Sequence, residues 1–188
     1  MSDLATNILK LYDQMKVRRM SWESTWEEIA TFILPRKSEI ISDRTPGVKQ
    51  TRKLFDSTAI EANERLAAAI AGTVTNPVTQ WFTFDLPNIT MFGGSRLRNI
   101  DLWLQTLSAS LFRELRLSNF NTEIGEVYLD LGAFGTGAIF VDERQGVKPW
   151  NGFHFQALHL GEYTIAENSQ GVVDTLCRDV KMSAQAAV

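Results

Sequence analysis

One cysteine, two histidines and five prolines are all this 188-residue chain offers of those types. Cys177 alone cannot form an internal disulfide, so the fold must be held by packing. His154 and His159 have opposite parity on a strand and would point to opposite faces, with only Glu162 nearby as a further ligand, so no metal set emerges. No Ser-His-Asp order, nucleophile elbow or paired-carboxylate motif is present; the reading names no catalytic residue and no cofactor. There is no excess of positive charge: 19 Lys and Arg stand against 22 Asp and Glu. A protein gripping DNA over its whole surface would be basic, so nucleic-acid contact would have to be local. No uncharged run of about 18 residues exists that could span a bilayer.

What is present is a series of periodic apolar stretches. Leu4, Ile8, Leu11 and Met15, then Trp22, Trp26, Ile29 and Ile33, step by four and three, which predicts an amphipathic helical arm ending at Pro35. One helix or two both fit; Ser21 is a candidate cap, and a break near Met20–Ser21 is the expected arrangement. Residues 36–53, with the turn former Thr45-Pro46-Gly47, read as a mobile loop joining this arm (1–35) to a body (54–188). Asp56, Ser57 and Thr58 cap a helix whose small-residue face, Leu66, Ala67, Ala69, Ile70, Ala71 and Val74, is expected to be buried. Asn76-Pro77 stops that helix, and Trp81-Phe82-Thr83-Phe84 reads as a buried strand. Pro87–Ser95 is a second loop.

Leu97, Ile100, Leu104, Leu107, Leu111 and Leu115 predict the clearest helix, about Arg96 to Leu117, broadened by Trp103 and Phe112. Ser118-Asn119 breaks it, and Asn121 or Thr122 can cap the next, with Ile124, Val127, Tyr128 and Leu131 as its face. Gly132–Gly137 follows a helix and precedes a strand, the reverse of a phosphate-binding loop, so it reads as a helix C-cap. Strands are expected at 138–142, 153–158, 162–165 and 172–180, with a turn at Asn168–Gly171. Helices followed by strands, without βαβ repetition, make an α+β protein: several long amphipathic helices packed with a small, mainly antiparallel sheet. Ser183–Val188 looks like a cap and first helical turn, so a longer polypeptide is expected.

Trp22, Trp26, Trp103 and Phe112 are the candidate partner-contact residues, because large aromatics on helical faces dominate interface energetics. The competing reading of the tryptophans is docking onto the chain's own core. Basic clusters at 16–19, 36–37 and 49–53 keep a nucleic-acid-binding module open as an alternative, although Glu23, Glu27, Glu28 and Glu39 lie among them.

Three ordered motif groups resemble the head-to-tail connector, or portal, proteins of short-tailed bacteriophages. They are Leu11-Tyr12, Arg18-Arg19, Trp22-Glu23 and Trp26 to Pro35; Leu54 to Ala59 with Leu66-Ala67-Ala68, Asn76-Pro77 and Trp81-Phe82; and Gly135-Thr136-Gly137 with Glu162-Tyr163, Asn168 and Gly171 to Asp174. The resemblance implies a structural virion protein without enzymatic activity, corresponding here to the outer, wing-like body. It implies a dodecameric ring of copies at one capsid vertex, through which double-stranded DNA is packaged and ejected. Terminase, capsid and tail proteins would be its partners, and it would assemble in the host cytoplasm.

Overall fold

Neither glycine nor proline occurs between Asp3 and Ile33, and the computed structural model carries one uninterrupted helix, α1, across that span. The structure describes residues 3–41, 47, 49–51, 53–86, 94–144, 151–180 and 182. The expected break at Met20–Ser21 does not occur. Ser21 Oγ donates to the Arg18 carbonyl at 3.1 Å, so the hydroxyl is satisfied inside the helix instead of capping a new one. Pro35 ends α1 as expected and opens a 3₁₀ turn, Pro35–Lys37.

The remaining elements are α2 (Thr58–Val74), α3 (Gly94–Leu117), α4 (Phe120–Phe134), β1 (Ala138–Glu143), β2 (Phe153–Leu158), β3 (Tyr163–Glu167) and β4 (Val173–Arg178). The described residues therefore form an α+β fold, in which the strands pair as two separate two-stranded antiparallel ribbons, β1–β2 and β3–β4. Of the predicted loop Pro87–Ser95, residues 87–93 lie outside the described residues, while Gly94 and Ser95 already belong to α3; most of the Thr45-Pro46-Gly47 turn and the predicted cap at Ser183–Val188 also lie outside them.

Two compact units are formed from interleaved stretches of chain. The first comprises residues 1–63, 133–138 and 158–188. Its interior holds Met15, Ala30 and Leu34 from α1 and the following turn, with Ile40, Leu158, Leu160 and Tyr163. β3 lies against α1 and pairs with β4 in the register Tyr163↔Arg178, Thr164↔Cys177 and Ile165↔Leu176. The hairpin turn falls where Asn168 and Gly171 predict it: Asn168 Oδ1 accepts from the amides of Gln170 and Val172, and Gly171 adopts φ +74°, which favours glycine. A short 3₁₀ turn, Leu160–Glu162, leads into β3 and is capped by His159.

The second unit comprises residues 64–132 and 139–157. Its buried side chains include Ala67, Leu104, Val127, Tyr128 and Phe155, and an aromatic cluster runs from Phe155 to Trp81 at the surface. The rings of Phe82 and Phe112, Trp81 and Phe120, and Phe120 and Phe155 lie 6.3, 6.2 and 5.1 Å apart. The Trp81–Phe84 segment supplies two of these rings, Trp81 and Phe82, but is not the buried strand its composition predicts. It is irregular chain outside both ribbons, with Trp81 and Phe84 each 40% exposed, and the Phe84 amide donates to Ser108 Oγ at 3.0 Å. Ser108, fully buried on α3, passes its own proton to the Leu104 carbonyl at 2.8 Å. Aromatic β-propensity here reflects a preference for packing, which a groove between helices satisfies as well as a sheet does.

The starts of α2 and α4 are capped by different means. Asp56 Oδ1 accepts from both the amide and the hydroxyl of Thr58, and Ser57 Oγ meets Glu61 Oε1 at 3.2 Å, so α2 is capped where predicted. Those bonds hold the Asp56 carboxyl below its usual value. α4 begins earlier than Asn121 or Thr122 would allow. Ser118 Oγ accepts the Phe120 amide at 3.1 Å, and the Asn119 carbonyl receives the amides of Thr122 and Glu123, so the breaker residues are themselves the cap. Gly135, at φ +72° directly after α4, is the C-cap expected of the glycine cluster.

The small-residue face of α2 is less covered than its composition suggests. Ala67 is buried and Ile70 and Ala71 are half-buried, but Leu66 is 48% exposed and Val74 is exposed too. The buried stripe runs instead through Ile60, Asn63, Ala67, Ile70 and Ala71. A Leu66→Glu variant is therefore expected to fold, losing less than about 1 kcal/mol in a denaturant titration.

A candidate subunit-contact surface

Three side chains on one stripe of α1, Tyr12, Met15 and Arg19, fasten it to the β3–β4 hairpin and its flanking residues, with Glu23 paired to Arg19. Arg19 is the centre: Nη1 donates to the Tyr163 carbonyl at 2.6 Å and the Gly161 carbonyl at 3.4 Å, while Nε stands 3.0 Å from Glu23 Oε1. The guanidinium fork suits this job because several rigidly placed donors can serve two carbonyls and a carboxylate at once. One turn earlier, Met15 Sδ lies 3.9 Å from Cys177 Sγ, making the single cysteine a packing residue. Earlier still, the Tyr12 hydroxyl donates to the Asp179 carboxylate.

That hydrogen bond, reinforced by partial burial and the carboxylate's charge, pushes the Tyr12 phenol up to about 12. A raised phenol favours the neutral form, so its contribution to stability is complete below pH ~10 and is lost as pH rises from about 10 to about 12. Tyr12 is half-buried and its partner Asp179 is exposed to solvent, so Tyr12→Phe should cost less than about 1 kcal/mol at neutral pH. In an alkaline absorbance titration, the substitution should remove the latest phenolate step; an unchanged final step would show that Tyr12 does not make the contact in solution.

The stripe Tyr12–Met15–Arg19–Glu23 is rotated from the apolar seam read off the sequence. Along that seam Met15 is buried and Trp26, Ile29 and Ile33 are half-buried, whereas Leu4, Ile8, Leu11 and Trp22 are 70%, 53%, 44% and 60% exposed. Trp22 stacks on Trp26 with centroids 6.2 Å apart. Trp26 is therefore partly inside its unit, and Trp22 lies over it with most of its surface in solvent. Arg19 escaped the sequence reading because a hydrophobic pattern assigns arginine outward. The i,i+4 pair with Glu23 was the available signal.

In the second unit, Trp103 on α3 is 62% exposed, beside exposed Leu102 and Leu107. Phe112 is placed differently. It is half-buried, its ring meets Phe82, and the Arg116 guanidinium lies 6.0 Å above it. Of the four aromatics singled out, Trp22 and Trp103 present themselves to solvent, Trp26 does so in part, and Phe112 belongs to the aromatic interior.

The polar candidates settle into structural roles. His159 Nδ1 accepts the Gly161 amide at 3.0 Å, which leaves Nε2 to carry the proton donated to the Lys37 carbonyl at 3.3 Å. His154 is exposed on β2. Among the described residues no group of three His, Cys, Asp or Glu side chains converges on one point. The basic clusters are dispersed too: Arg18 and Arg36 face solvent, and Arg19 turns inward to the hairpin. Among the described residues no helix is long and apolar enough to cross a membrane. What α1 and α3 present to solvent are aromatic and aliphatic side chains, Trp22 and Trp103 foremost.

Comparison with known proteins agrees in kind. A family model described as bacteriophage head to tail connecting protein matches residues 5–188. The probable portal protein of Bordetella phage BPP-1 is 29% identical over 180 residues, covering 94% of this chain and 31% of that protein. The portal protein of Salmonella phage epsilon15 is 28% identical over 184 residues, covering 96% of this chain and 32% of that protein. The chain thus spans less than a third of the length of these two relatives.

Proposed function

This chain belongs to the bacteriophage head-to-tail connecting protein family, and we propose that it contributes the wing-like body of a portal subunit. Its role is structural. Copies of the complete protein form a closed ring, dodecameric by analogy with the family, at one vertex of the virion. Double-stranded DNA is packaged and ejected through the ring, to which terminase, capsid and tail proteins dock. Assembly takes place in the host cytoplasm. Residues 1–35 act as an arm, 36–53 as its connection and 54–188 as the body, with Trp22, Trp26 and Trp103 in contacts between subunits.

The observation that carries this reading is the family match over residues 5–188, supported by two portal relatives whose similarity runs along nearly the whole chain. The exposed tryptophans on α1 and α3 are what an assembling surface requires. A net charge of -3 does not favour the nucleic-acid-binding alternative. Electron microscopy of the complete gene product should show closed rings. A monodisperse monomer at every concentration would overturn the reading.

A further inference from the structure

The exposed seam of α1 is bordered by charges segregated along the helix. Residues 3–22 carry Lys10, Lys16, Arg18 and Arg19 against Asp3 and Asp13, a net of +2; residues 23–33 carry Glu23, Glu27 and Glu28, a net of -3. Arg19 and Glu23 neutralise each other within the chain. Lys10, Arg18 and Glu28 are exposed, Glu27 is half-buried, and none of the four side chains has an ion-pair partner among the described residues. The helix is therefore electrostatically two-ended: its first two-thirds is cationic and its last third anionic. Of the exposed apolar residues of α1, Leu4, Ile8, Leu11 and Trp22 lie on the seam in the cationic part, and Phe32 lies in the anionic part.

We propose that α1 is a self-complementary interface: the cationic part of one copy's α1 lies along the anionic part of a second copy's α1, with Leu11 and Trp22 buried in the contact. The proposal rests on the portal reading for the number of copies, and supplies the contact that would join them. In a ring the contact is heterologous, so every copy offers its cationic part to one neighbour and its anionic part to the other. α1 is about 46 Å long, enough for two staggered half-helix contacts. Charge selects the occupant. A second α1 matches both ends of the face at once, while the apolar seam supplies affinity that exposed ion pairs alone do not. Burying Leu4, Ile8, Leu11 and Trp22 removes apolar surface from water, and the gain is repeated at every contact of a ring.

Opposite charge reversal tests this in the complete protein. Variant one is Lys10→Glu with Arg18→Glu, giving an anionic α1 throughout; variant two is Glu27→Lys with Glu28→Lys, giving a cationic α1 throughout. Alone, each variant is expected to lose assembly by about tenfold or more at the concentration where the wild type forms rings, because like charges now meet. Mixed in equal amounts, the two should assemble together, every contact pairing an anionic with a cationic helix, and native mass spectrometry should find both variants in each particle. Rings from either variant alone at wild-type levels, or no co-assembly on mixing, would overturn the proposal. Circular dichroism checks that each variant is folded. If one is not, Trp22→Ala decides: undiminished assembly of that variant would overturn the proposal equally. A wild type that forms no rings would remove the portal reading instead, and the α1 contact is then judged by whether the mixed variants bind each other.

Discussion

Replacing Phe155 by alanine is expected to destabilise the second unit by about 3–5 kcal/mol, the largest effect of any single substitution considered for it. Phe155 is 6% exposed, and its ring stands edge-on to Phe120 at 5.1 Å and tilted to Phe153 at 5.9 Å. Truncation removes the transfer energy of a buried ring, opens a cavity between elements that cannot readily collapse, and deletes aromatic contacts of roughly 0.5–1.5 kcal/mol each. The backbone of Phe155 is held separately. Asn119 Nδ2 donates to its carbonyl at 2.7 Å, and Asn119 Oδ1 accepts its amide at 2.9 Å, so the side-chain amide of Asn119 imitates a neighbouring strand. Glu123 Oε2 accepts the Ala157 amide at 2.7 Å two residues on. β2 should therefore keep its local geometry in Phe155→Ala, leaving packing as the quantity measured. Thermal and denaturant unfolding should show a midpoint lower by about 10 °C. A shift worth less than about 1 kcal/mol would mean that the aromatic cluster is not the core of this unit.

Arg19→Met is expected to cost about 2–4 kcal/mol in the first unit, although arginine on a helix surface is usually replaceable at little expense. Methionine keeps the unbranched stem and removes the fork. The Tyr163 and Gly161 carbonyls then lose their side-chain donor, and Glu23, only 17% exposed in its side chain, loses its counter-charge. Unsatisfied buried groups, more than the lost attraction, make up the cost. Two consequences separate this from a general loss of packing. Amides of the β3–β4 hairpin should exchange faster in Arg19→Met, because the hairpin lies on α1 through this residue. Removing Glu23 as well should recover part of the loss, giving a coupling of about 1–3 kcal/mol in a double-mutant cycle. Independent, additive effects of the two substitutions would show that the ion pair contributes nothing to the fold.

The two residues illustrate where sequence reasoning reached and where it stopped. Phe155 is legible as an inward position, because alternation along Phe153–Leu158 marks it. Its partner on α4 is not legible, since Phe120 is 35 positions away. Arg19 is illegible as a buried position, because the pattern that identifies α1 discards charged residues before asking what they bind. The same limit explains the continuous α1: Ser21 is as good a cap as an internal helical residue, and only its bond to the Arg18 carbonyl decides between them.

The contact surface divides likewise. That aromatic residues on α1 and α3 were candidates for partners followed from residue type and helical spacing. Which of them are available did not: Trp22 and Trp103 are largely solvated, while Phe112 is engaged with Phe82 inside its unit.

From the sequence alone came the helices and strands, the Asp56–Thr58 cap, the glycine stop after α4, the hairpin turn at Asn168–Gly171, the α+β class and the likeness to portal proteins. All of these rest on local chemistry or on motif order, which a chain carries whether or not it is folded. Only the tertiary structure decided which side of α1 is covered, that Trp81–Phe84 is irregular chain and not strand, and that Trp81, Phe82, Phe112, Phe120 and Phe155 form one cluster. Those outcomes depend on competition among surfaces distant in sequence. For a helix with several apolar or amphipathic stripes, the stripe that is buried is the one whose charged residue also finds its partners.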